Sequence, residues 1–383
     1  MKILGVNISH DTSLCVVEDG EVKNVYEEER VRRDKYWYPG KDTNLDQAKL
    51  MGIDMYQLSE IDHIAFASYD KRLLNVKFDP KLAENRVRQK EIIELISAEQ
   101  LTLERLNELA DGPVPEIIDI EFCNMDADDQ IVDSICQQMQ DVTDRVHFNR
   151  GNHHYYHAVC GSHLSPYDEA IVITWDGGGS NTYWDTHPGY QEIECIFHYK
   201  DDEVTPKFRR MSNHRFIDGL QADNFGGFQE GCLHSETPDV QEYDGVEVEF
   251  VSYPSNGMNF SNMSYALGCD DLGRAAGKVM GMASYGKLTP NVHTKHTTAN
   301  RLEHDALDSA IATIQKAVDM MPDVKNIVLS GGFSLNCTNN YKYLEAFPDH
   351  QFFVDPIPHD GGTGVGAALQ YWRELKDDSN DNS

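Results

Sequence analysis

The chain has 383 residues, enough for two domains or lobes, and its 40% hydrophobic content supports a true core and excludes disorder as the class. Its 33 basic and 64 acidic side chains leave a net charge of −31. That balance excludes a broad phosphate-gripping surface, so neither extended nucleic acid nor an anionic membrane is an expected partner. No apolar run approaches membrane-spanning length, and residues 1–20 lack a basic-then-apolar leader. Eight scattered cysteines, none in a CxxC pair, fit free thiols in a reducing, cytoplasmic setting.

Lys2–Val6 is a short apolar run that predicts a strand. The polar turn Asn7–Asp11 follows, then Ser13–Val17, the hairpin turn Glu18-Asp19-Gly20, and Glu21–Tyr26. Pro80–Ala110 carries leucines and isoleucines at near-helical spacing. Arg145–Asn149 reads as a strand and His153–Leu164 as the helix after it. Ala170–Trp175 is a nearly continuous apolar run, suited to a central strand buried on both faces. The turn Asp176–Asn181 and the strand-like Thr182–Trp184 then repeat the opening theme. Residues 200–260, rich in Gly, Asn, Asp and Glu, read as an irregular insert. Asn326–Leu329 and Gln351–Val354 predict strands, and Leu335–Leu344 and Thr363–Leu375 predict helices. Residues 376–383 form a solvated acidic tail. One pattern met twice predicts an α/β protein of two lobes, 1–165 and 166–375, around a cleft.

The Gly-rich turns need sorting. Gly362–Ala367 fits G-x-G-x-x-A, but a dinucleotide site needs an acidic residue at the end of a second strand further on, and none follows. Gly281–Leu288 is nearly a phosphate-binding P-loop, but Leu288 stands where Mg²⁺ needs Ser or Thr. Four separate Gly turns remain, at 177–179, 277–281, 331–332 and 361–366, and together they suit a nucleotide held in a cleft. His153 and His157 are four apart, hence on one helix face. That spacing fits a polar helix face as well as a metal site. Asp360, at a strand end before a Gly turn, is the candidate third ligand of a two-His, one-carboxylate site suited to Fe²⁺ or Zn²⁺. His154 points about 100° away and is read as lying behind the ligands or facing substrate.

Several motifs occur in one order: Ser9-His10-Asp11, Glu27-Glu28-Glu29-Arg30 with Lys35, His153-His154-Tyr155-Tyr156-His157-Ala158, Trp175-Asp176-Gly177, Gly277–Gly286, Ser330–Cys337 and Asp360–Thr363. This order resembles the O-carbamoyltransferase family of nodulation and antibiotic-tailoring enzymes. The catalytic half of that family is similar to the transferase subunit of tRNA threonylcarbamoylation, within the actin-like ATPase superfamily.

The resemblance implies two actin-like lobes, with His153, His157 and Asp360 as ligands of a metal, usually iron. It implies that Gly331, Gly332 and Asn336, with Gly277 and Lys278, bracket adenosine, and that Asp176 and Gly177 lie in a phosphate-facing turn. His10 would lie near the transferred group, and Arg30 and Lys35 would contact phosphate or carbamoyl oxygen. The implied reaction moves carbamoyl from carbamoyl adenylate, made from carbamoyl phosphate and ATP, to a small-molecule hydroxyl. Family members carry a C-terminal YrdC-like adenylating domain, which this sequence lacks, so a separate YrdC-like partner is expected. Two other readings stand beside it: an actin-like kinase or ATPase using Mg²⁺, and a non-catalytic relic of the longer enzyme.

Overall fold

In the computed structural model, two sheets carry the same strand order. The structure describes residues 1–7, 11–35, 60–67, 146–148, 152–180, 182–183, 186–187, 190–213, 238–269, 275–287 and 294–381. The expected helix over 80–110 lies outside these residues, as does His10.

The first sheet contains β1 (Lys2–Asn7), β2 (Ser13–Glu18), β3 (Glu21–Glu27), β4 (His63–Phe66) and β5 (Val146–Phe148), in the order β3-β2-β1-β4-β5. Helix α1 (Glu28–Arg32) follows β3, and α2 (His153–Leu164) follows β5. The second sheet contains β6 (Glu169–Trp175), β7 (Gln191–Lys200), β8 (Glu203–Ser212), β9 (Asp239–Tyr243), β10 (Val246–Val251), β11 (Asn326–Ser330) and β12 (Gln351–Val354). Its order is β12-β11-β6-β7-β8-β10-β9. In each sheet a three-stranded antiparallel meander leads to two parallel strands beside its first strand. Among the described residues, the second sheet adds the β9–β10 pair at the β8 edge.

Helices α3 (Asn256–Ala266), α4 (Ala276–Ala283), α5 (Lys295–Met320), α6 (Cys337–Ala346) and α7 (Thr363–Asp381) complete the described elements. Ile171, Ile173 and Trp175 of β6 pack with α3, α4 and α5 in one core. Val172, on the opposite face, joins a second core that includes Ile3 and Val17 of the first sheet and Val365 and Leu369 of α7. Central strand β6 is therefore buried on both faces, as its unbroken apolar run required.

Helix α7 packs on β1, β2 and β4 of the first sheet and shares a core with Ile3 and Val17. The structure revises three expectations about single elements. Helix α7 runs to Asp381 instead of ending at Leu375; one turn into the expected tail, Lys376 Nζ lies 5.0 Å from the Trp372 ring centroid. Thr182 and Tyr183 sit in a turn, because Thr182 Oγ1 donates to Glu192 Oε1 (2.8 Å), and the strand resumes at Gln191. The 200–260 segment contains regular strands. Val246, Val248 and Phe250 alternate inward, and Asp244 and Gly245 take the positive φ values of a tight hairpin turn.

Candidate metal centre

Helix α2 begins at His153, and its N-cap Asn152 offers no side-chain cap. The His153 backbone N–H donates instead to Ser180 Oγ (3.0 Å), so the turn after β6 holds the start of the helix. Asp176 directly follows β6, and Asp360 opens a short 3-10 turn, Asp360–Gly362, after β12. Strands β12, β11 and β6 are parallel, so their C-terminal ends share one edge. Topology thus carries both carboxylates to the exposed end of the histidine pair.

His153 Nε2 lies 3.2 Å from His157 Nε2, 3.2 Å from Asp176 Oδ2 and 3.4 Å from Asp360 Oδ1. His157 Nε2 lies 3.4 Å and 3.6 Å from the same two oxygens. All four ligand atoms fall within 4.8 Å of one another. Metal bonds of about 2.1 Å place neighbouring ligand atoms about 3.0–3.4 Å apart in an octahedral or tetrahedral shell. The four side chains fit a divalent cation on that measure.

Electrostatics point the same way. Burial alone would lower the His153 pKa, but the Asp360 and Asp176 carboxylates overcome it and push it up to about 10. His157 also shifts up, its burial outweighed by bonds to Asp176 and Asp360. Burial would raise the Asp176 pKa, yet the two imidazoles hold it well below the usual carboxylate range. Two buried carboxylates need positive charge beside them. A divalent cation would satisfy that demand.

The nearby glycines serve this placement. Gly331 has φ +86, and a Cβ there would fall 2.3 Å from the Trp175 carbonyl oxygen. A Cβ at Gly332 would fall 2.9 Å from Asp176 Oδ1. The turn after β11 therefore presses against the end of β6 and backs the Asp176 carboxylate. The Gly177 N–H, expected to face phosphate, donates to Asp176 Oδ1 (2.6 Å).

Other expected site residues fall around this centre. Among the described residues, nothing lies within 4 Å of a Cβ built at Gly277 on α4. Lys278 on the same helix donates to the Cys269 carbonyl (2.9 Å), which turns its ammonium to a loop. Asn336 is buried and caps α6, accepting from the Asn339 N–H (3.2 Å). Arg30 Nε donates to Glu27 Oε2 (2.7 Å), and Lys35 is exposed in the turn after α1. His154 is fully buried with Nδ1 3.3 Å from Cys195 Sγ, so it faces β7 of the second sheet. Cys15, Cys160, Cys195, Cys269 and Cys337 are all free thiols.

Sequence reasoning brought three of the four cluster residues together and left Asp176 to phosphate. It passed over Ser180, Glu27 and His359. The missed signal for Asp176 was its position: like Asp360, it follows the C-terminal end of an apolar run that forms a parallel strand.

Two sheets of one strand order, with a two-His, two-carboxylate cluster at a strand edge, define an actin-like α/β protein built around a candidate metal centre. A family model described as Carbamoyltransferase N-terminus matches residues 2–306, and the chain belongs to that family. Nodulation protein NolNO of Sinorhizobium fredii is 22% identical over 371 residues, covering 96% of this chain and 47% of the relative. Nodulation protein NolO of Bradyrhizobium diazoefficiens is 23% identical over 231 residues, covering 58% of this chain and 38% of the relative. The chain spans about half the length of the curated relatives it matches. The crystal structure of T. kodakarensis HypF has a TM-score of 0.50 at 15% identity, covering 98% of this chain and 48% of that one. That likeness supports the actin-like ATPase fold. No helix among the described residues is long and apolar enough to cross a membrane.

Proposed function

We propose that the protein is an O-carbamoyltransferase, moving a carbamoyl group from carbamoyl adenylate to a hydroxyl of a small molecule or nucleotide. The observation that carries this reading is the convergence of His153, His157, Asp176 and Asp360 in a chain of the carbamoyltransferase family. These four residues would hold the cation, and two nitrogens with two oxygens suit Fe²⁺ or Zn²⁺. When bound, the cation supplies Lewis-acid polarisation of the carbamoyl oxygen or acidification of the acceptor hydroxyl.

The chain's own residues bind and orient. Ser180 holds the His153 end of α2, and the Gly177 N–H fixes the Asp176 carboxylate. Adenosine is assigned to Gly277 and Gly281 on α4, which no described residue crowds, together with the Gly331–Gly332 turn. Arg30 and Lys35, after the first hairpin, offer positive charge to phosphate or carbamoyl oxygen. His10 is the general base. It takes the hydroxyl proton as the acceptor oxygen bonds to the carbamoyl carbon. The bond from that carbon to the phosphate oxygen then breaks, and AMP leaves with the electron pair. The donor is made from carbamoyl phosphate and ATP by a YrdC-like adenylating protein.

The test supplies carbamoyl adenylate with nucleoside and sugar pools and follows added carbamoyl groups by mass spectrometry. A carbamoylated species made by the parent and absent with His153→Ala supports the proposal. No carbamoylated species with any acceptor overturns it.

A further inference from the structure

A second device adjoins the cluster. His359 directly precedes Asp360, and its Nδ1 accepts from the Gly361 N–H (3.1 Å). That bond fixes the tautomer with its proton on Nε2. Nε2 lies 3.0 Å from Glu27 Oε1, so His359 donates to a carboxylate at the end of β3. The other Glu27 oxygen accepts from Arg30 Nε (2.7 Å). Ser13 Oγ, at the start of β2, donates to the Gly361 carbonyl (2.7 Å). Asp11 Oδ2 faces the same ring, 3.9 Å from Nδ1.

Glu27 and Ser13 belong to the first sheet, whereas the 360–362 turn follows the last strand of the second. The ring packs tightly on its own turn, since a Cβ at Gly361 would fall 2.6 Å from His359 Cε1. The Asp360 carboxylate is thus fixed by groups reaching across from the first hairpin. The cluster contacts of 3.4 Å and 3.6 Å to Asp360 Oδ1 depend on where that turn sits.

We infer that Glu27 and His359 are a positioning pair that clamps the Asp360 turn to the first hairpin and thereby sets the cluster's affinity for its cation. The inference rests on the metal-centre reading above. Carboxylate and histidine partners outside the ligand shell change metal affinity by about 10–100-fold when removed, because they fix ligand orientation. The coupling is reciprocal: a clamp that favours the cation is itself favoured by the cation.

The experiment titrates Co²⁺ alone into the full chain against a chromophoric chelator. It compares the parent with Glu27→Ala, His359→Asn, their double variant, Glu27→Gln and His153→Ala. Glu27→Ala and His359→Asn each weaken Co²⁺ binding about tenfold or more. The double variant is no weaker than the weaker single variant to within about twofold, because both changes break one link. Glu27→Gln keeps an oxygen that accepts from Nε2–H and stays within about threefold of the parent. Melts of the metal-free proteins identify any variant that fails to fold. If Glu27→Ala is one, His359→Asn and Glu27→Gln carry the test, with the same expected contrast.

Parent-like affinity in His359→Asn, or additive losses in the double variant, overturns the clamp and leaves the metal centre standing. A parent that binds Co²⁺ no better than His153→Ala removes the metal centre and the clamp with it.

Discussion

Replacing Asp176 by Asn removes one negative charge from the cluster while keeping its shape. The amide oxygen can still accept from the Gly177 N–H, so the turn retains its bond. The lost charge faces two imidazole nitrogens at 3.2 Å and 3.4 Å, where a cation's charge would be concentrated. Unit charges about 4 Å apart interact by about 4 kcal/mol at an effective dielectric of about 20. That corresponds to roughly a thousandfold in affinity. A parent held at a Co²⁺ concentration about 100 times its Kd gains about 2.7 kcal/mol of stability. A variant binding a thousandfold more weakly gains below about 0.1 kcal/mol at that concentration. Thermal melts with and without Co²⁺ read this directly. The parent's midpoint rises with the metal, and the Asp176→Asn midpoint does not move. The metal-free variant melts below the parent, because Asp176 loses its bonds to both imidazoles, so the test reads the shift on adding Co²⁺ and not the metal-free midpoint. An Asp176→Asn protein stabilised by Co²⁺ as strongly as the parent would refute Asp176 as a ligand.

Ser180→Ala removes the acceptor for the His153 N–H and costs about 1 kcal/mol in urea denaturation, the usual worth of a helix cap. Gly331→Ala forces a side chain into left-handed backbone against the Trp175 carbonyl and costs about 2 kcal/mol or more; a loss under about 0.5 kcal/mol would contradict the packing described. Arg210 is bonded to Glu194 and, at 2.9 Å, to Glu249. Arg210→Met leaves those buried carboxylates short of a partner and costs about 3 kcal/mol at neutral pH. Burial would raise the Glu249 pKa, but Arg210 and Lys316 lower it below its ordinary 4.5. The stability from this pairing is therefore complete above pH 4.5 and is lost as pH falls through the lower folded value. The deficit of Arg210→Met accordingly shrinks in acid, which denaturation at two pH values checks.

Local features of the chain were legible where one element carries the whole signal. Ala170–Trp175 is apolar without interruption, and β6 is buried on both faces. His153 and His157 share a face because four residues make about one helical turn. The duplication was legible only as a theme, since the strand-then-polar-turn opening recurs at Ala170–Asn181, whereas β7 was expected too early and β8 fell inside the expected irregular insert. What was not legible depended on contacts between distant residues. Asp176 was assigned to a phosphate-facing turn through the family resemblance; only the parallel register of β6, β11 and β12 brings it to Asp360. The Ser13 contact to Gly361 spans 348 residues, and no local pattern encodes it. Glu27 and His359 looked like one acid in an acidic run and one of 16 histidines. Strands β9 and β10 were hidden by composition, because Glu247 and Glu249 alternate with Val246, Val248 and Phe250. Their charge is met by Lys316, at 2.6 Å and 2.9 Å.

Carbamoyl transfer at the four-residue cluster is tested most directly by quantifying AMP and carbamoylated product together, with carbamoyl adenylate and an accepted hydroxyl compound. The account predicts equal amounts of the two from the parent, and neither above background from His153→Ala or Asp360→Asn. Product formed by those variants at the parent's rate would contradict it.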